Sequence, residues 1–261
     1  MPTEFWLQFT DTIKIVPITV FSNQELVLIP TSAIFMTSEI QLSLFDNSNN
    51  NQQKLIPTDS KIPITPGTYT NMAELAQHCN QCHRCELGKT RTHAVVGRGN
   101  LKALIMIVGE APGQNEDETG LPFVGKSGQL LEKILASVNL STEEDIYIAN
   151  INKCRPPNNR VPTPDEMAAC KPYLLEQIRL VDPKIILLTG ATAVKGITGD
   201  KRGITKIRGQ WLEWEERLCM PIFHPSYLLR NPSKEKGAPK WLMWQDIQAV
   251  RAKFDEIRNN N

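Results

Sequence analysis

Three groups of residues in this chain have types and spacings that could do chemistry. Cys82 and Cys85 are separated by two residues in HCNQCHRCELGKTR, and Cys154 and Cys170 by fifteen. Thiolates at such spacings can close a four-sulfur site, for which zinc and a four-iron cluster are both suitable occupants. Cys79 offers Cys79-x2-Cys82 as a competing pair, whereas Cys219, in the apolar run LCMPIF, reads as a small buried hydrophobe. The second group is GEAPGQNEDETGLPFVGKSG, residues 109–128, with five glycines among several carboxylates. Glycines there let backbone amides approach a ligand closely. Residues 120–127, GLPFVGKS, formally satisfy the phosphate-loop pattern, but eleven residues separate them from the preceding apolar run, and no later strand run ends in an Asp that could help hold Mg²⁺. The third group comprises NINKCRPPNNR, residues 150–160, and HPSYLLR, residues 224–230.

These groups need elements to position them. The apolar run LKALIMIV, residues 101–108, predicts a strand, followed by a loop and an amphipathic helix over residues 127–138. DIYIANI, residues 145–151, predicts the next strand, and a helix from about Pro164 is capped by Thr163. KIILLTG, residues 184–190, predicts a third strand, with a short helix over residues 191–197. Short strands at residues 211–214 and 220–223 precede a final helix over residues 240–257. Alternating strands and helices imply an α/β fold, three layers α/β/α around a central, mostly parallel sheet. In such folds ligands sit beyond the carboxyl ends of strands, which is where all three groups fall.

The 261 residues are 41% hydrophobic and 22% charged, with a formal net charge of +1, which excludes a fibrous chain and a broadly basic DNA-coating protein. The average hides a split. Residues 1–65 carry three Lys, no Arg and six acidic residues, so the remainder is net +4. Residues 1–70 lack glycine until Gly67 and include the polar run NSNNNQQK, which cannot bury a core. They are expected to form a largely disordered extension, and Met36 offers an alternative translation start. No apolar run is long enough for a membrane span and no secretory signal opens the chain, so a soluble, cytoplasmic protein with reduced thiols is expected.

From about residue 71 to 240 the sequence resembles the family 4, iron-sulfur uracil-DNA glycosylases. GEAPG followed by ED and G-x-PFVGKSG, the block KCRPP-x-NR-x-PTP-x-E leading to a Cys, and HPS-x-LLR occur in order and at family-like distances. The resemblance implies a uracil-DNA glycosylase-like fold with a four-stranded sheet, for which residues 71–261 form the glycosylase domain. It implies a monomeric enzyme that flips uracil out of DNA and hydrolyses the N-glycosidic bond without cutting the strand, a nucleoid-associated activity in a bacterial cytoplasm. It places a structural four-iron, four-sulfur cluster on Cys82, Cys85, Cys154 and Cys170, and turns the apparent phosphate loop into a wall of the uracil pocket.

By the same resemblance Phe123 stacks on the flipped base, and Asn150 reads its edge. A fixed Asn amide can donate to uracil O4 and accept from N3–H, contacts that cytosine reverses. Gly109, Ala111 and Asn159 complete the substrate contacts. His224 donates to uracil O2, where negative charge accumulates as the bond breaks. Ala111 takes the place of the water-binding Asp of family 1 enzymes, so Glu116, with Glu110 second, is the candidate for handling water or the cationic sugar, and Glu116 also for excluding thymine. Lys153, Arg155, Arg160, Ser226 and Arg230 are expected to hold phosphates, with residues 228–230 forming the wedge that fills the vacated stack. A relative acting on another deaminated base, and a cluster-bearing DNA-binding or electron-transfer module, are the competing readings.

Residues 41–45, QLSLF, followed by Asp46, resemble the pentapeptide by which bacterial DNA-processing enzymes dock on the sliding clamp. Gln41 and Leu42 would open the contact, Leu44 and Phe45 would fill an apolar pocket, and the polar tract behind them would serve as tether.

Overall fold

The computed structural model describes residues 63–260, and the expected docking peptide at Gln41, Leu42, Leu44 and Phe45 lies outside them. Eight helices and a six-stranded sheet make up the described chain. In chain order the longer elements are α1 (Met72–Gln81), β1 (Arg98–Gly99), β2 (Ile105–Gly109), α2 (Gln114–Thr119), α3 (Lys126–Ala136) and β3 (Ile146–Asn150). They continue with α4 (Pro164–Val181), β4 (Ile185–Thr189), α5 (Ala191–Thr198), α6 (Ile204–Ile207), β5 (Leu212–Trp214), β6 (Arg217–Ile222), α7 (Pro225–Arg230) and α8 (Pro239–Asn259).

The sheet order is β1-β3-β2-β4-β6-β5. Its four inner strands are parallel, as expected, but short antiparallel strands add a sixth-part edge on each side: β1 pairs with β3 and β5 with β6. The expected four-stranded sheet is therefore corrected to six. Two-residue β1 has no apolar run to announce it, because the strand exists only through its ladder to β3.

β2, β3 and β4 are buried along their length, β6 over its last four residues, and the two faces of the sheet feed separate cores. Ile105, Ile107, Ile146, Ile148, Ile185 and Leu187 pack against α3 and α8 through Leu131, Leu135, Ile247 and Phe254. Met106, Val108, Ala149, Ile186 and Leu188 pack on the other face against α4 and α5 through Leu174, Ile178, Val194 and Ile197. The period-two alternation that a strand imposes thus builds the three layers.

Several boundaries move. The strand expected from Leu101 begins only at Ile105, since the Asn100 side chain accepts from the Lys102 amide and closes a turn that leaves Leu101 exposed. Thr163 and Glu166 form a reciprocal cap on α4, with Pro164 in its first turn, as the sequence signals. The folded unit also starts upstream of residue 70. Ile64 and Tyr69 are buried against Leu75, Cys79 and Tyr173, and Glu176 accepts from the amides of Gly67 and Tyr69.

Candidate active site

The chain passes from β2 to β3 on one side and then crosses to β4 on the other side of β2, so loops diverge at the carboxyl ends of the parallel strands. A cleft of about 510 Å³ opens there, the size of a small-molecule site. It is lined by Glu110, Ala111, Gly113, Glu116 and Phe123 after β2, Asn150 at the end of β3, Asn159 and Arg160 beyond it, and His224, Ser226 and Arg230 after β6. The structure therefore brings together ten of the residues singled out in the sequence. Gly109, the last residue of β2, stands just behind the wall: a side chain there would collide with the Asn150 Oδ1 and the Phe123 ring. Only glycine lets those two groups close on each other.

Asn150 is buried, and its side-chain amide is engaged by no hydrogen bond among the described residues. Because the residue lines the cleft, that amide is left available to a ligand. Its backbone carbonyl is held by the Lys153 ammonium at 2.6 Å, which fixes the end of the strand.

His224 caps α7. Its Nδ1 accepts from the Ser226 backbone N–H at 3.1 Å and lies 2.8 Å from the Ser226 hydroxyl. A ring nitrogen that accepts from a backbone N–H carries no proton, so the proton resides on Nε2. Burial, and then the Arg230 charge, push the imidazole pKa down to about 4, with Glu116 opposing. At neutral pH His224 is therefore an uncharged Nε2–H donor. Its ring lies 5.8 Å from that of Phe123.

Glu116 is tied to the loop on which it sits. One carboxylate oxygen accepts from the Val124 and Gly125 amides, and the other from the Gly113 amide. Three backbone contacts make it a brace between the start of α2 and the segment before α3. The short helix α2 itself escapes the sequence reading, which treats these residues as loop, because it buries only Asp117. Glu110 is freer, with one carboxylate oxygen accepting from the Thr192 hydroxyl.

The expected phosphate contacts divide. Ser226 and Arg230 line the cleft. Arg160 lines it as well, but is held in a two-pronged ion pair with Glu166, whose carboxyl it keeps below the usual range. Arg155 lies off the cleft and donates to the Asn159 side chain at 2.7 Å. Lys153 is corrected: it is 1% exposed, and a phosphate cannot reach a fully buried ammonium. Sequence could not show this, since Lys in a loop is ordinarily solvated. Leu228 of the expected wedge is likewise buried in the core, leaving Leu229 as the exposed apolar residue of that segment.

The other side of Lys153 faces sulfur. Cys79, Cys82, Cys85, Cys154 and Cys170 line one cavity together with Lys153, Arg84 and Tyr173. The Arg84 amide lies 3.4 Å from the Cys82 sulfur, the Lys153 amide 3.3 Å from that of Cys170, and the Arg91 guanidinium 3.5 Å from that of Cys154. Burial raises the Cys154 thiol to about 11 and the Cys170 thiol to about 12, with Arg91 and Lys153 respectively pulling back. Burial lowers Lys153 to about 8 against the opposing pull of the sulfurs. No group of three or more His, Cys, Asp or Glu among the described residues is arranged to hold a metal ion in this form. The donor chemistry nevertheless suits an anionic sulfur-ligated group: several thiols converge, N–H donors point at sulfur, and a buried cation supplies counter-charge.

An α/β fold whose switch-point cleft joins a buried Asn, an aromatic face and a neutral His donor defines a protein able to hold a small planar base. Residues 96–248 match the Uracil DNA glycosylase superfamily, and the chain belongs to that family. It is 48% identical over 183 residues to the type-4 uracil-DNA glycosylase of Thermotoga maritima, covering 69% of this chain and 93% of the relative. It is 41% identical over 174 residues to the type-4 enzyme of Saccharolobus solfataricus (64% and 81%), and 40% over 170 residues to that of Archaeoglobus fulgidus (62% and 85%).

Proposed function

We propose that this chain is a uracil-DNA glycosylase, a hydrolase of N-glycosyl bonds that frees uracil from DNA and leaves an abasic site for base excision repair. The observation that carries the reading is the Asn150 amide, without a protein partner among the described residues and lining one cleft with the Phe123 ring and the His224 imidazole. A base in duplex DNA cannot reach such a pocket unless the nucleotide is flipped. Phe123 stacks on the flipped uracil, the Ala111 backbone lines its edge with Gly109 behind it, and Asn150 donates to O4 and accepts from N3–H. Asn159 closes the rim. His224 donates through Nε2 to O2 as the glycosidic electrons move into the ring, its Nδ1 held by the Ser226 amide so that the single ring proton faces the base.

The cationic sugar and the attacking water fall to the carboxylates. Glu116 is occupied by three backbone amides, which favours Glu110 as the group that meets water or sugar and Glu116 as the brace that shapes the pocket. DNA phosphates meet Ser226 and Arg230 at the rim, with Arg160 and Arg155 available where they exchange their Glu166 and Asn159 contacts, and Leu229 replaces the flipped base in the stack.

Cys82, Cys85, Cys154 and Cys170 would hold a four-iron, four-sulfur cluster with a structural role, tying the segment after α1 to the β3 loop and α4. Broad absorbance near 400 nm and about four iron atoms per chain are expected; a colourless protein with one zinc would replace the cluster by zinc. The segment at residues 41–45 would dock on a sliding clamp through Leu44 and Phe45, and clamp pull-down that survives their joint replacement by Ala would remove that contact.

The activity is tested on an oligonucleotide with one uracil. Conversion to an abasic, alkali-labile product with the strand intact is expected. Binding without release of uracil would favour a DNA-binding or electron-transfer module, and release of another deaminated base alone would move the specificity.

A further inference from the structure

Phe123 has a backbone φ of 55°, a left-handed conformation that a bulky side chain rarely adopts. Such a residue persists only where its surroundings over-determine it. The amides that follow it are held by Glu116, as described above, and Gly128 lets α3 approach so closely that a side chain there would overlap the Phe123 carbonyl. The carbonyl side of the turn is held from a different element altogether. Arg98, on edge strand β1, donates through Nε to the Pro122 carbonyl at 2.8 Å and through Nη2 to the Phe123 carbonyl at 3.4 Å.

The guanidinium is itself fixed. Its Nη2 also donates to Glu132 on α3, and its Nη1 lies 3.4 Å from the Thr142 hydroxyl, which in turn donates to Glu132. Arg98 lies between Gly97 and Gly99, where any side chain would strike the Tyr147 hydroxyl or the Ile146 carbonyl, so the edge strand is held close against β3. A planar, multiply donating fork is the one side chain that can meet two successive carbonyls and a carboxylate at once; a lysine ammonium lacks that fixed geometry.

We propose that Arg98 is a positioning residue for the base-stacking face: it locks the carbonyls of Pro122 and Phe123 so that the Phe123 ring is held in its left-handed pose before substrate arrives. This rests on the reading of Phe123 as the face on which uracil stacks. Arg98 touches neither substrate nor the reacting atoms, and works by sparing the flipped base the cost of ordering its own platform.

The test is a double-mutant cycle on the full chain, Arg98→Met with Phe123→Ala, read as single-turnover rate, KM and the inhibition constant of free uracil. Phe123→Ala is expected to weaken uracil inhibition and kcat/KM by roughly 10-fold or more, within the range for losing one base–aromatic stack. Arg98→Met should produce about the same loss, Arg98→Lys should restore only part of it, and the double variant should fall no further than Phe123→Ala, within about 2-fold. Thermal unfolding of each variant, and assay well below its midpoint, separates misfolding from loss of pose; Glu132→Gln, which keeps Arg98 but loosens its anchor, should show the same pattern more weakly. An impaired Phe123→Ala beside a wild-type Arg98→Met, or losses that multiply in the double variant, would overturn the positioning role alone. An unimpaired Phe123→Ala would overturn the stacking reading and the role of Arg98 with it.

Discussion

The cleft and the cysteine cavity are neighbours on one loop, yet they obey opposite physical rules. Asn150 faces the cleft and Cys154, four residues on, faces the sulfurs, with Lys153 buried between them. The cleft is open and keeps polar groups unsatisfied or aimed outward: the Asn150 amide, the His224 Nε2, the Glu110 carboxylate. The cavity turns inward, lined by thiols whose ionisation burial opposes and by a cation that makes good the deficit. One region stores unspent hydrogen-bonding capacity for a ligand that comes and goes. The other gathers converging thiols, the donor set proposed above for a resident cluster. Lys153, bonded to the Asn150 carbonyl and facing the sulfurs, is where the two regions touch.

Substitutions should separate the two regions by what they disturb. The largest effect is expected from Lys153→Met, which strips the buried donor from the Asn150 carbonyl and from the cavity; denaturant unfolding should show a loss of about 1–3 kcal/mol, typical of leaving a buried acceptor unsatisfied. A stability within 1 kcal/mol of wild type would mean that the cavity does not depend on its cation. His224→Ala should leave the unfolding midpoint nearly unchanged but slow single-turnover release about 100-fold, the scale for removing one oxyanion donor. Because the His224 pKa is depressed to about 4, the imidazole stays neutral as pH falls from 8 to 5, so kcat/KM should show no inflection near 6.5 from this group. Below that, protonation of Nδ1 breaks the contact with the Ser226 amide, and the rate should drop.

Asn150→Asp comes next. It replaces the donor to uracil O4 by a second acceptor, so the preference for uracil over cytosine should narrow by about 10-fold or more in competition assays. The smallest effect sharpens the boundary itself. Arg230→Ala should reduce the slope of log affinity against log salt by about 0.9, as one lost phosphate contact requires, whereas Lys153→Met should leave the slope unchanged. Equal slopes for both would return Lys153 to the DNA surface.

Much of the cleft was legible because its residues stand at strand ends, and strand ends are visible as apolar runs that stop. Gly109, Asn150 and His224 each follow such a run, so fold and site could be read together. The cap of α4 was legible for the same local reason, as Thr163 and Glu166 satisfy backbone groups only three residues apart. Residues whose meaning depends on distant partners were not. Lys153 reads as a phosphate contact until its burial is known, Glu116 as the group for water or the cationic sugar until its three amides are seen, and Arg98 carries no signal until β1 is found beside β3.

The sequence by itself determined the alternation of strands and helices and the strand ends at which the unusual residues collect, because those depend on residue type and on periodicities of two and about four; which of those residues meet uracil and which sulfurs share a ligand came from the family resemblance. Only the tertiary structure decided which basic residues are available to DNA, which carboxylate is already spent, and what holds Phe123 in a strained pose. Exposure, hydrogen-bond saturation and backbone strain are properties of the surroundings, and chain neighbours supply only a small part of those.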